Sequence, residues 1–213
     1  MEILKSIALS LEGGDDANVA QLTRKALAEG IAPKTVLDDG LISGMNVVGE
    51  KFRVHDIFLP DVLLAAKAMY AGMEILKPLL ASAGVSSRGR VVIGSVQGDL
   101  HDIGKNLVSI MLKGAGFDVI DLGNDVAAAT FVATAKSREA QVIGMSALLT
   151  TTMPVMKEVV DLLKKENLGA RIKTIIGGAP VSHDYAAEIG ADAYGYDCAQ
   201  AVESVKKLAA AAG

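Results

Sequence analysis

Residues 98–105 read Gly98-Asp99-Leu100-His101-Asp102-Ile103-Gly104-Lys105. A histidine just before a helix start, with a carboxylate two residues earlier, can be oriented through one ring nitrogen while the other faces a ligand. That is the arrangement around a metal-bound imidazole, where a carboxylate accepts the ring N–H and raises the basicity of the opposite nitrogen. The plainer reading of the same residues is that Asp99 caps the helix and His101 is a solvated loop residue. His55 and His183 have no comparable neighbours and read as surface residues.

One such histidine and one cysteine, Cys198, with no compact carboxylate cluster, cannot supply a three-ligand zinc site. A metal held by His101 alone would have to arrive with its other ligands attached, inside a macrocycle. Haem and corrinoid both qualify on this chemistry. Two further stretches could approach a large ligand. Gly144-Met145-Ser146-Ala147-Leu148-Leu149-Thr150-Thr151-Thr152 offers small and hydroxylated residues at a strand end, or an ordinary helix cap at Thr150 to Thr152. Gly177-Gly178-Ala179-Pro180 offers adjacent positions without Cβ, suited to a tight turn or a buried ligand.

The elements that must position these residues change character near residue 88. Before it, strong apolar patterns have helical period: residues 2–12, 15–29, a segment from Pro33 through Phe52, and one after Phe58-Leu59-Pro60. These read as a four-helix bundle over residues 1–86. After a polar, Gly-containing linker at 82–89, apolar runs at 90–96, 117–123, 141–146, 171–178 and 191–196 alternate with helical segments. Those helices are expected at 103–113, 126–138, 151–166, 182–189 and 198–211. The expected architecture of residues 87–213 is therefore a doubly wound α/β domain with a five-stranded parallel sheet. Ligands of such sheets sit beyond the strand C-termini, at the loops 95–104, 123–126, 146–152 and 177–182.

Composition narrows the classes. A chain of 213 residues accommodates one large or two small domains, and 51% apolar with 22% charged residues excludes a disordered chain. With 21 basic and 25 acidic residues and no basic block, nucleic acid is not an expected partner. No apolar run approaches a membrane span, and the N-terminal residues lack a signal-peptide pattern. One cysteine rules out a disulfide framework, and a cytoplasmic location is expected.

Taken together, Asp99-x-His101-x-x-Gly104, Ser146-x-Leu148 and Gly177-Gly178 resemble the signature of cobalamin-binding domains that hold the cofactor with its benzimidazole base displaced. The stretch 44–69, GMNVVGEKFRVHDIFLPDVLLAAKAM, is similar to the helical cap of cobalamin-dependent methionine synthase. The resemblance covers almost the whole chain and matches the corrinoid proteins of methyltransferase systems. It implies a helical cap followed by a flavodoxin-like cobalamin-binding domain. It implies a cobalamin or related cobamide as cofactor, in its methylcobalamin form during turnover.

By the same resemblance His101 is the axial ligand to cobalt, Asp99 holds its inner N–H, and Thr152, where many relatives have serine, extends the relay. Gly98, Leu100, Asp102 and Ile103 complete the histidine loop around the cofactor. Ser146 is expected to bond the displaced base, with Leu148 and Thr150 lining its channel, and Gly104, Gly177 and Gly178 giving the nucleotide tail room. Tyr196 and Ala199 are expected near the tail or corrin edge. In the cap, Phe52, Leu59 and Val62 would cover the upper cobalt face and Asp38 would approach it, although these apolar residues read equally well as bundle core.

The implied role is a methyl carrier, not a complete enzyme. It would accept a methyl group from a substrate-specific methyltransferase and deliver it to a second one with a thiol or tetrahydrofolate acceptor, with a reductive activase as a further partner. Two rivals use the same histidine loop: a cobalamin-dependent sensor or regulatory module, and the small subunit of an adenosylcobalamin mutase. A flavodoxin-like receiver or nucleotide-binding module lacks support, because no G-x-G-x-x-G loop is present.

Overall fold

The computed structural model describes residues 2–83 and 87–212. Residues 84–86, within the linker expected at 82–89, lie outside the described residues. The chain divides into two compact units, Met1–Ser87 together with Gly114–Gly116, and Arg88–Lys113 together with Phe117–Gly213.

The first unit is helical. Helix α1 (Glu2–Glu12) buries Leu4, Ile7 and Leu11, the one-face pattern its sequence carries. Helix α2 (Asp16–Ala28) opens with Asp15 accepting the Asn18 N–H at 2.9 Å and buries Val19 and Ala26. The third segment is not a single regular helix. Helix α3 (Pro33–Thr35) runs into a π-helical stretch at Val36–Ile42 and continues as α4 (Ser43–Arg53). Its glycines let it approach α1 closely: a Cβ on Gly44 would lie 2.8 Å from the Ala8 carbonyl oxygen, and one on Gly40 3.2 Å from Ile7. Helix α5 (Leu59–Ser82) completes the unit, beginning at Leu59, ahead of Pro60. No helix among the described residues is long and apolar enough to cross a membrane.

The second unit is an α/β sandwich. Strands β1 (Arg90–Ser95), β2 (Asp118–Asp121), β3 (Val142–Ser146), β4 (Lys173–Gly177) and β5 (Ala193–Gly195) are all parallel in the order β2-β1-β3-β4-β5. They alternate with α6 (Ile103–Gly114), α7 (Ala128–Ser137), α8 (Pro154–Lys165), α9 (His183–Ile189) and α10 (Cys198–Ala211). One face of the sheet packs Val92, Ile143 and Ile176 against Phe131 of α7 and Met156 and Val159 of α8. Val91, Ile93, Val142 and Ile175 alternate onto the opposite face and are also buried, which explains strands that are apolar at nearly every position.

Order reverses between β1 and β3, so the crevice for a ligand opens at their C-terminal ends. In register, Ser95 pairs with Ser146, Ser146 with Gly177, and Gly177 with Gly195. Four of the five strands thus end on one row of small residues, and the loops that follow β1, β3 and β4 depart from it.

Candidate functional site at the C-terminal edge of the sheet

Asp99 and His101 lie in the loop between β1 and α6. Asp99 is fully buried, and its carboxylate is enclosed by donors. Oδ1 accepts the His101 backbone N–H at 3.1 Å and lies 2.8 Å from His101 Nδ1. Oδ2 accepts the N–H groups of Leu148 at 2.7 Å and Leu149 at 3.2 Å, and the Thr152 hydroxyl at 2.9 Å. Burial pushes the carboxyl up. The bonds from Leu148, His101 and Thr152 more than offset it and hold Asp99 well below the usual carboxylate range. An ionised carboxylate only accepts, so the Nδ1 nitrogen carries the proton and the lone pair of the neutral ring sits on Nε2. The His101 side chain is 53% exposed, and Nε2 has no protein partner among the described residues.

In this geometry neither Asp99 nor the threonines act as helix caps. Asp99 spends its oxygens on the imidazole and on the loop after β3, not on the amides of α6. The threonines do not cap α8. That helix starts at Pro154, three residues later than position 151, and has no side-chain cap. The Thr152 hydroxyl instead donates to Asp99 and lies 2.8 Å from the Leu149 carbonyl oxygen. Proline suits the first helical turn, where its missing N–H has no intrahelical partner.

Most of the other expected residues gather at this edge. Leu100 (70% exposed) and Ile103 (75%) flank His101, and Leu148 and Thr150 follow β3 in the open. Asp102 is half-buried and its carbonyl accepts the Asn106 N–H at 2.7 Å. Ser146 ends β3 beside Gly177. Tyr196, 79% exposed, follows β5, and Ala199 is buried in the first turn of α10. Gly98 is left-handed (φ +84°) and donates its N–H to Asp125. Gly178 has φ +128°, and a Cβ there would fall 1.8 Å from the Ala147 carbonyl oxygen, so only glycine fits. Gly104, in the first turn of α6, faces open space, with nothing within 4 Å of where its Cβ would be. Asp38, Phe52, Leu59 and Val62 belong to the helical unit. Asp38 lies in the π-helical stretch and pairs with Lys34, Phe52 and Leu59 are half-buried, and Val62 is fully buried.

Three side chains that hold the histidine loop escaped the sequence reading. Ser95, fully buried at the end of β1, donates its hydroxyl to the His101 carbonyl oxygen at 2.6 Å. Asp125 and Asn124 act from the loop after β2. Ser95 had a usable signal, as a hydroxyl closing an otherwise apolar strand; Asp125, in an ordinary polar turn, had none. Lys105 is buried with its ammonium 2.7 Å from both oxygens of Asp121 and 2.7 Å from Asn106 Oδ1, tying the start of α6 to the end of β2.

Among the described residues, no three His, Cys, Asp or Glu side chains converge to hold a metal ion. A single outward imidazole nitrogen, exposed aliphatic side chains flanking it in the same loop, and backbone left bare at Gly104 suit a broad, flat ligand that brings its own equatorial donors to the metal.

Comparison with known proteins agrees. The B12 binding domain family matches residues 89–204, and a second family of the same description matches residues 3–77. A corrinoid protein of Desulfitobacterium hafniense (strain Y51) is 43% identical over 211 residues, covering 98% of each chain. Dimethylamine corrinoid protein 1 of Methanosarcina acetivorans is 44% identical over 210 residues, again covering 98% of each. Among solved structures, the methanol:cobalamin methyltransferase complex MtaBC from Methanosarcina barkeri contains a chain with TM-score 0.88 and 34% identity, over 98% of this chain and 80% of that one. The chain belongs to the B12-binding family of corrinoid proteins, and the cofactor its exposed imidazole and open glycine edge suit is a cobalamin or related cobamide.

Proposed function

We propose that this chain is a corrinoid methyl carrier that holds its cofactor base-off with His101 Nε2 as the lower axial ligand. When bound, the corrinoid supplies a cobalt centre able to take a methyl group from a donor and give it to an acceptor. The observation that carries the reading is the imidazole fixed through Nδ1 by Asp99, with Nε2 left outward at the switch point of the sheet.

The protein residues work as a graded set. Thr152 and the amides of Leu148 and Leu149 keep Asp99 ionised and immobile. Asp99 fixes the tautomer and plane of His101 and leaves the Nε2 lone pair free to meet a ligand. Ser146 is the candidate donor to the displaced nucleotide base, and Gly104 leaves the backbone bare for the nucleotide tail; at Gly177 and Gly178 the space a Cβ would take is closed by the Gly195 and Ala147 carbonyl oxygens. Leu100, Ile103, Leu148 and Tyr196 offer exposed apolar surface to the macrocycle.

The partners in this reading are a substrate-specific methyltransferase, a second methyltransferase with a thiol or tetrahydrofolate acceptor, and a reductive activase. The relative solved within a methanol:cobalamin methyltransferase complex and the dimethylamine relative support the first of these. The compartment is the cytoplasm, in keeping with the single free cysteine, Cys198.

The test is electron paramagnetic resonance of the protein loaded with cob(II)alamin. Nitrogen splitting that changes from a triplet to a doublet when the protein histidines carry 15N is the expected result, lost in His101→Ala. An unchanged spectrum in His101→Ala would overturn the ligand assignment.

A further inference from the structure

The loop carrying His101 is held by the loop that follows β2, and the hold is concentrated on the backbone just before the histidine. Asp125 Oδ1 accepts the Gly98 N–H at 2.7 Å. The Asp125 N–H donates to the Asp99 carbonyl oxygen at 3.0 Å. Asn124 Nδ2 lies 3.4 Å from the Leu100 carbonyl oxygen. Three consecutive residues, Gly98, Asp99 and Leu100, are thereby bracketed from one side, while Ser95 holds the His101 carbonyl from beneath.

The bracket has a firm base. Ser95 N–H donates to the Gly123 carbonyl at 2.9 Å and Val126 N–H to the Ser95 carbonyl at 3.0 Å, and Val96 bridges Val126, so the two loops leave the sheet side by side. Asp125 is also one of the few non-glycine residues with positive φ, at 55°. Aspartate tolerates that region better than most residues, and its short side chain reaches a neighbouring backbone N–H with a charge-assisted bond. Alanine there would lose the acceptor and strain the turn.

We propose that Asp125 is a positioning residue for the axial imidazole: it sets the path of Gly98 and Asp99 and, through Asp99, the direction in which His101 Nε2 points. The inference rests on His101 being the cobalt ligand, and Asp125 touches neither the ring nor the corrinoid in this scheme. Its effect passes through loop geometry, where small displacements at a fixed ligand are costly.

The test uses the full chain with Asp125→Asn, Asp125→Ala and Asp125→Gly. Glycine keeps the left-handed backbone and removes only the acceptor; asparagine keeps both. In the apo protein, the Gly98 amide should exchange with solvent about tenfold faster in the alanine and glycine variants, and at the native rate in Asp125→Asn. In the cob(II)alamin-loaded protein, the same two variants should bind the corrinoid but show a smaller fraction with histidine nitrogen splitting, restored in Asp125→Asn. Native exchange and a native histidine-bound fraction in Asp125→Gly would overturn the proposal. If the unsubstituted protein shows no histidine splitting, the ligand reading and the imidazole-positioning role fail together. The exchange measurement then decides separately whether Asp125 orders the loop.

Discussion

The Thr152 hydroxyl meets Asp99 Oδ2 at 2.9 Å across 53 positions of sequence, at a carboxylate with no exposed surface. The contact joins the loop after β1 to the loop after β3 on either side of the switch point. It explains why a threonine placed to cap a helix leaves α8 uncapped. It also means that Asp99 orients His101 only as well as the β3 loop orients Asp99.

Replacing Thr152 by valine keeps shape and removes the hydroxyl. Asp99 keeps its backbone donors, so the loss is one buried bond to a charged acceptor, about 1–2 kcal/mol of stability. Serine keeps the hydroxyl but gives up the methyl that packs near Gly98, and should cost less than ~1 kcal/mol. Urea unfolding of the apo variants checks the ranking. The histidine-bound fraction of the cob(II)alamin form should fall in Thr152→Val and stay near native in Thr152→Ser.

Two glycines of the site predict opposite stability changes. Gly178→Ala forces a Cβ to within 1.8 Å of the Ala147 carbonyl oxygen at a left-handed position, so the strand end must shift, and destabilisation of at least ~3 kcal/mol is expected. Gly104→Ala enters open space inside a helix and should stabilise the apo protein by about 0.5–1 kcal/mol. The same methyl would intrude on the space assigned to the nucleotide tail, so cobalamin affinity should fall while the melting temperature rises. Equal affinity in Gly104→Ala, by equilibrium binding, would remove that glycine from the site.

How much of this was legible depended on where each partner lay in the sequence. The switch from helical to strand-like apolar runs near residue 88 marks where the sheet unit begins, because a strand buried on both faces can be recognised from its own residues. Asp99 and His101 stood out because donor and acceptor are two positions apart. Asp125 did not, and Ser95 showed only as a hydroxyl closing an apolar strand, because their partners are an amide and a carbonyl, which nearly every residue possesses. The π-helical turn at Val36–Ile42 was likewise invisible: it shifts hydrogen bonds by one residue without changing which residues are apolar. The threonine run misled about the start of α8, since a hydroxyl before a helix and a hydroxyl aimed at a distant carboxylate look the same in sequence.

Among the described residues, Lys105 and Asp121 form the most buried Lys–Asp pair of the sheet unit, with 2% and 29% of their side chains exposed. Lys105→Met removes the cation and leaves Asp121 facing an apolar wall. Asp121 retains some water and the Gly123 N–H, so the cost should fall near the low end for broken buried pairs, about 3 kcal/mol. Adding Asp121→Asn should recover part of it. Denaturant midpoints of the two single variants and the double variant check this, with a coupling near zero counting against the pair.

Cys198 opens α10 almost fully buried. Burial first, and then the neighbouring Asp197 carboxylate, push its thiol up to about 11. Near pH 8 only about one molecule in a thousand then carries the thiolate, so iodoacetamide should label the folded protein slowly and the unfolded protein fast. The sign of the stability effect follows from proton binding. Between the ordinary thiol value of 9.0 and about 11 the unfolded chain has released this proton and the folded chain still holds it. Folding stability therefore declines as pH rises through that window, by up to about 1.4 kcal/mol per unit, and the contribution is constant below it. Urea midpoints of the native protein and Cys198→Ala near pH 8 and near pH 10 separate this thiol from every other group, since the two proteins share the rest. A stability difference that stays flat between the two pH values would show that the thiol is not held protonated by its surroundings.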